Sequence, residues 1–218
     1  MPQAVCFDLD GTLFDDRQYV RAGLESAGEA VVKLAGVDLS AAFEAAYFER
    51  DIRTETFDVV LEEHDLPTSY VPELVEAYHN NSAPLTPYLG TEAALSTLAD
   101  EYALGLITGG RNGAEKLERL GLDDYFDCVL VTSGRPYSKH DPDPFERVHD
   151  TLGVPFEASV YVGDRPALDF AQPNRLGMRT VRVTTGQYDD VDATGMAEPD
   201  VTIQSVNDLP KLFSHQES

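Results

Sequence analysis

AVCFDLDGTLFD, residues 4–15, opens as an apolar, β-prone run and then breaks into acids. Ala4–Phe7 has the length and composition of a buried strand. Asp8 follows it, Leu9 intervenes, Asp10 adds a second carboxylate, and Gly11 and Thr12 turn the chain. Extended backbone alternates its side chains with period two, so Asp8 and Asp10 are expected to face the same way. Unpaired buried charge is costly, so two acids at a strand end do nothing for a core. They make sense around a cation, or as a nucleophile beside an acid–base group.

Outward from that stretch the pattern alternates. After Pro84, Thr91–Ala99 reads as a helix, Tyr102–Ile107 as a strand, and Asn112–Leu120 as a helix stopped by Gly121. Val129–Thr132 reads as a strand, Phe145–Leu152 as a helix closed by Gly153, and Ser159–Val162 as a strand. A helix over Asp169–Leu176, strands at Arg179–Val183 and Val201–Ile203, and a last helix over Val206–Phe213 complete the series. Ser205 should cap that last helix, and Pro210 is a local misfit in it. Strands separated by helices of this size predict an α/β core, a Rossmann-like doubly wound parallel sheet. Residues 16–84 differ. Apolar positions recur at helical spacing through Tyr19–Leu34, Ala41–Phe48, Phe57–Leu61 and Val71–Tyr78, with no convincing strand between them. The expected organisation is a catalytic core from residues 1–15 and 85–218, with a helical unit inserted at 16–84.

Three further segments carry reactive side chains. LGLITGG (104–110) places Thr108 after an apolar run, SKHDPDPF (138–145) carries Lys139, and VYVGDRPALD (160–169) carries Asp164 and Asp169. Asp8, Thr108 and Asp164 each follow a predicted strand, and open parallel sheets bind ligands beyond the carboxyl ends of their strands. With the D-x-D-G-T of residues 8–12, these segments resemble the four motifs of the haloacid dehalogenase superfamily, in order and at usual spacing. The likeness is to its aspartyl-phosphate phosphatase branch, phosphoglycolate phosphatase-like enzymes with a four-helix cap, and it covers essentially the whole chain. It implies that the three strands are neighbours with the first in the middle.

The resemblance also implies roles. Asp8 would be the nucleophile and Asp10 the acid–base group, and the second Asp is a residue that the family's dehalogenases do not keep. Mg²⁺ would be held by Asp8, the main-chain carbonyl of Asp10 and Asp164. Asp169, near the start of the next helix, would act through Lys139 or a water rather than as a direct ligand. Lys139 would set its charge against the phosphoryl oxygens and Asp8, with Thr108 and the N–H groups of Gly109 and Gly110 as neutral donors. The chain departs from the family twice. His140 stands where Pro usually follows the lysine, a position read as structural rather than catalytic. Pro173 falls where a small residue is usual and should kink or shorten its helix. In the cap, Arg17, Arg21, Arg50, Arg53, His64 and His79 are the cationic or near-cationic residues, each read as solvated surface. YFERDIRT (47–54) is where a specificity loop could lie.

Composition limits the alternatives. The chain has 218 residues, 42% of them hydrophobic, enough for a real core. No apolar stretch approaches the ~20 residues of a membrane span, and no leader pattern opens the chain. Cys6 and Cys128 lie in or beside apolar runs and are expected to be free thiols of a cytoplasmic protein. The net charge is −23, spread along the chain, with four lysines against twelve arginines. So acidic a surface excludes nucleic acid as a partner and points to a halophilic, haloarchaeal setting, where salt screens self-repulsion. The expected function is Mg²⁺-dependent hydrolysis of a small phosphorylated metabolite by a monomer or homodimer. Phosphoglycolate, sugar phosphates and nucleoside monophosphates are candidate substrates. Alternatives are a phosphomutase of the β-phosphoglucomutase type, a 2-haloacid dehalogenase, or a binding protein on a retained fold.

Overall fold

The computed structural model describes residues 2–214. They divide into two compact units, one formed by residues up to Asp15 and from Leu85 onward, the other by Asp16–Pro84. Strand β1 (Ala4–Phe7) begins the first unit. The second holds α1 (Arg17–Ala35), α2 (Ser40–Phe48), α3 (Thr56–Glu63) and α4 (Val71–His79). On α1, Val20, Leu24, Ala27 and Val31 are buried, a spacing that keeps one stripe of the helix on the core of this unit. Leu39 and Phe43 of the next segment, Val60 and Leu61 of α3, and Leu74 of α4 complete that core. Phe43 meets Phe57 edge-on at 5.0 Å between centroids.

After residue 85 come α5 (Thr91–Ala99), β2 (Ala103–Thr108), α6 (Gly113–Leu120), β3 (Cys128–Val131), α7 (Asp143–Leu152) and β4 (Ser159–Gly163). Then follow α8 (Pro166–Asp169), α9 (Ala171–Leu176), β5 (Arg179–Val183), β6 (Val201–Ile203) and α10 (Leu209–Ser214). The strands pair in the order β3-β2-β1-β4-β5-β6, and every pairing is parallel. β1 and β4 are buried along their whole length, as central strands covered on both faces must be. The strand order reverses at β1, which β2 and β4 flank, so the crevice for a ligand opens at the carboxyl ends of these three strands.

The register also decides the cysteines. Cys6 pairs with Gly105, and Gly105 with Cys128, so the two cysteines are two strands apart. That separation is ~10 Å, beyond the ~7 Å that a disulfide can bridge. Both are free, as expected, and burial pushes the Cys6 thiol up to about 12, with Cys128 adding to the shift.

Two expected helices come out differently. The one over Asp169–Leu176 is interrupted at Phe170, leaving α8 and α9. Pro173 has no N–H for the Asp169 carbonyl, and its ring crowds that carbonyl, so the helix cannot run through. Asp169 therefore ends a short helix rather than starting one. The last helix begins as a 3₁₀ turn over Val206–Asp208. Ser205 caps that turn, accepting from the Asn207 N–H at 3.1 Å, while Asp208 accepts from the Ser205 N–H at 3.3 Å. Pro210 then sits in the first turn of α10, where its missing N–H is no loss. Gly121 and Gly153 end α6 and α7 in the left-handed region, as expected. Among the described residues, no helix is long and apolar enough to cross a membrane.

Candidate active site

Asp8 lies one residue beyond β1, and its N–H continues the sheet ladder to the Val162 carbonyl at 2.9 Å. Thr108 is the last residue of β2, and Asp164 is one residue beyond β4. The two acids and the one alcohol that the sequence put at strand ends thus share one end of the sheet. Lys139 reaches the same place from the loop between β3 and α7. Its turn is closed by the Asp141 N–H on the Ser138 carbonyl at 3.0 Å and by the Ser138 N–H on Asp141 Oδ2 at 2.8 Å. His140 is exposed, and its main-chain N–H donates to Ser138 Oγ at 3.2 Å.

Lys139 is 1% exposed and bridges two buried carboxylates. Its ammonium contacts Asp8 Oδ1 and lies 2.8 Å from Asp169 Oδ1. The other oxygen of Asp169 accepts from the Arg165 N–H at 2.9 Å, so both are held by donors of the chain. Removing one partner of such a buried pair typically costs ~3–5 kcal/mol, because the other is left uncompensated. Burial pushes the Asp8 carboxyl up to about 7; Lys139 opposes the shift, and Asp169 and Asp10 add to it. Burial works against the Lys139 ammonium too, but Asp169 and Asp8 more than reverse it and hold its pKa well above the ordinary value.

Carboxylate oxygens of Asp8, Asp164 and Asp169 all lie within 4.8 Å of one another. The backbone is packed tightly against Asp164. A Cβ at Gly11 would lie 2.3 Å from its Oδ2, one at Gly186 2.4 Å, and Gly11 has φ +84°. The Thr12 hydroxyl points at Asp164 Oδ1 from 3.4 Å. Hard carboxylate oxygens, gathered and dry, are a donor set that suits a small divalent cation.

Asp10 forms a second group. Its Oδ1 lies 2.6 Å from Lys116 Nζ, and its Oδ2 accepts from the Thr108 hydroxyl at 3.3 Å. The Gly110 N–H turns inward to Thr108 Oγ1 at 3.2 Å, whereas Gly109 is exposed. Lys116 is the functional candidate that the sequence reading missed. A signal was there: Gly113, Lys116, Leu117 and Leu120 form the buried face of α6, and a lysine on such a face needs a buried counter-charge.

Five of the cationic or near-cationic residues of the helical unit have partners within it. Arg21 pairs with Glu44, and Arg53 lies 2.6 Å from Asp51. Arg50 grips both oxygens of Glu63 at 2.8 and 2.6 Å. His64 Nδ1 lies 2.9 Å from the Val60 carbonyl, and His79 Nδ1 lies 3.3 Å from the Tyr19 hydroxyl.

The haloacid dehalogenase-like hydrolase family matches residues 2–171, from β1 past the Asp164 loop and Asp169. The chain belongs to that family. A second description, HAD-hydrolase-like, matches residues 136–209. Among relatives of this hydrolase, the glyceraldehyde 3-phosphate phosphatase of Methanopyrus kandleri is 32% identical over 88% of each chain. The phosphoglycolate phosphatase of Neisseria meningitidis serogroup A is 30% identical over 98% of this chain and 93% of its own. A solved 2-haloacid dehalogenase from Pseudomonas syringae superposes with a TM-score of 0.70 at 24% identity, over 99% of this chain and 100% of that one. The last is a likeness of fold alone.

Proposed function

We propose that this hydrolase cleaves small phosphate monoesters through an aspartyl-phosphate on Asp8. The observation that carries the reading is the convergence, at one end of the sheet, of a buried Asp8–Lys139–Asp169 cluster with Asp164 and a second carboxylate, Asp10. Attack on a carbon–halogen bond needs no second acid. Cleaving a phosphate ester of an alcohol needs a proton for the departing alkoxide, and Asp10 is the group two residues away that can give it.

In this mechanism an Asp8 oxygen forms a bond to phosphorus as the bond from phosphorus to the alkoxide oxygen breaks, and Asp10 gives that oxygen a proton. Asp10 then takes a proton from the water that attacks the aspartyl-phosphate, releasing phosphate and restoring Asp8. Lys139 draws the phosphoryl oxygens toward Asp8, with the exposed Gly109 N–H as a neutral donor, while the Thr108 hydroxyl stays on Asp10 Oδ2. Mg²⁺, held by Asp8, the Asp10 carbonyl and Asp164, would offset the charge gathering on the phosphoryl oxygens. Asp169, with one oxygen on the Lys139 ammonium and the other on the Arg165 N–H, acts in this reading through Lys139 rather than as a ligand.

The helical unit at 16–84 serves as the cap that selects the substrate. Relatives named for glyceraldehyde 3-phosphate and phosphoglycolate make two- and three-carbon phosphates the first to test. The setting we infer is a cytoplasm rich in salt. The test compares wild type and Asp8→Asn with these two esters and MgCl₂ at molar KCl. Wild type should release phosphate, and the variant should lose at least about 10⁴-fold in kcat while keeping its circular dichroism. Turnover by the folded variant at the wild-type rate would refute the nucleophile. Release of chloride from 2-chloropropionate, with no phosphate from either ester, would restore the dehalogenase reading.

A further inference from the structure

Lys116 belongs to none of the four motifs, yet it is buried against the site. Its side chain is 6% exposed, while that of its partner Asp10 is 23% exposed. The pair therefore has a sheltered end and an open end. The ammonium lies 2.6 Å from Asp10 Oδ1, and Thr108, itself bonded by the Gly110 N–H, donates to Oδ2 at 3.3 Å. Both oxygens of Asp10 are thus held by groups from the end of β2 and the first turn of α6. The backbone is shaped to admit this arrangement. A Cβ on Gly110 would lie 2.3 Å from Asp10 Oδ2 and 3.2 Å from Lys116 Nζ.

We propose that Lys116 is a positioning residue for Asp10, fixing the rotamer from which this carboxylate exchanges its proton. The proposal rests on the reading of Asp10 as the acid–base group. Of the two donors, Lys116 is the stronger, being charged and short, whereas Thr108 is neutral and long. Without Lys116, Asp10 keeps one weak tether and two rotatable bonds. A misplacement of ~1 Å can cost ~10²-fold in rate. The cost should fall on substrates that need the proton. An alkoxide must be protonated as it leaves, whereas p-nitrophenolate is stable as an anion.

The test is kcat/KM, which reports formation of the aspartyl-phosphate, for p-nitrophenyl phosphate and for glyceraldehyde 3-phosphate. Lys116→Met should lose about 10–100-fold on the alkyl ester and less than about threefold on the aryl ester. Lys116→Arg, which keeps the charge, should recover most of the loss. In an Asp10→Asn background, Lys116→Met should add little further loss on the alkyl ester, because the group that it positions is already gone. The ratio of the two substrates is read within one preparation, so a partly unfolded variant leaves it unchanged. Equal losses on both substrates, or losses that simply add to those of Asp10→Asn, would overturn the positioning role. If Asp10→Asn itself shows no bias between the two esters, the acid–base reading falls. If Asp10→Asn shows the bias and Lys116→Met does not, only the role of Lys116 falls.

Discussion

Asp8 is asked to be ionised in a place that opposes it. Burial, Asp169 and Asp10 favour its protonated form, and Lys139 offsets only part of that. Its pKa rises from an ordinary 3.8 to about 7, so without metal the folded chain holds a proton that the unfolded chain has released. The sign follows: the contribution of this one carboxyl to the stability of the metal-free protein falls as pH rises between those two values. A divalent cation on Asp8 and Asp164 requires the carboxylate, so it must displace that proton. Mg²⁺ should therefore bind more weakly as pH falls below about 7, by up to about tenfold per unit. A thermal-shift titration with MgCl₂ at about pH 6 and about pH 8 measures this, and equal midpoints at the two would remove the competition. Asp8, Asp10 and Asp164 were legible as carboxylates that follow apolar runs, whereas Lys139 stood out through the resemblance of its segment to the family's third motif. Lys116 carried a weaker signal, its place on the apolar face of α6, and that face does not say which acid it meets 106 positions away.

At the scale of elements, α7 ties the site to the far end of the sheet. It starts just after the Lys139 turn, and near its end it buries His149. The ring Nδ1 lies 2.8 Å from the Phe145 carbonyl, the ring packs 4.4 Å from Phe156, and Nε2 is buried with no hydrogen-bond partner among the described residues. Burial lowers the pKa of His149, against the raising effects of the Phe145 carbonyl and Asp150. The unfolded chain therefore takes up this proton first as pH falls. Stability from the neutral ring is complete above the ordinary histidine range and is lost as pH drops through and below it. His149→Phe keeps an aromatic ring but cannot titrate. The gap in urea-unfolding free energy between about pH 5.5 and pH 7.5 should be smaller for the variant than for wild type. An unchanged gap would assign the acid sensitivity to the carboxylates alone. Helix ends were readable wherever the reason was local, as at Gly121 and Gly153. The break at Phe170 was signalled by Pro173, but its consequence for Asp169 was not. Ending α8 on that residue delivers its carboxylate to the Arg165 N–H, four residues before it, and to Lys139 in a separate loop.

For the whole molecule, the strands could be placed from composition, but their neighbours could not. Nothing in a run of Val, Leu and Ile states whether it pairs with the run before it or with one a hundred residues away. The net charge of −23, by contrast, is fully legible and sets how an anionic substrate meets the surface. In dilute buffer the screening length is ~30 Å at 0.01 M, so the whole surface repels a phosphate ester. At molar salt that length falls to ~3 Å. The ester then responds mainly to Lys139 and the donors beside it, which act at contact distance and are screened far less. kcat/KM should therefore rise with KCl over a range in which the fold is already complete. A neutral surface would give the opposite trend, since salt would weaken only the attraction within the site. Electrostatic steering changes association rates by ~10–10³-fold, so a rise of about tenfold is the expected scale. The measurement is kcat/KM for glyceraldehyde 3-phosphate against KCl at saturating MgCl₂, with circular dichroism on the same samples to hold folding constant. A flat or falling curve for the folded enzyme would mean that the acidic surface serves solubility and leaves substrate encounter untouched.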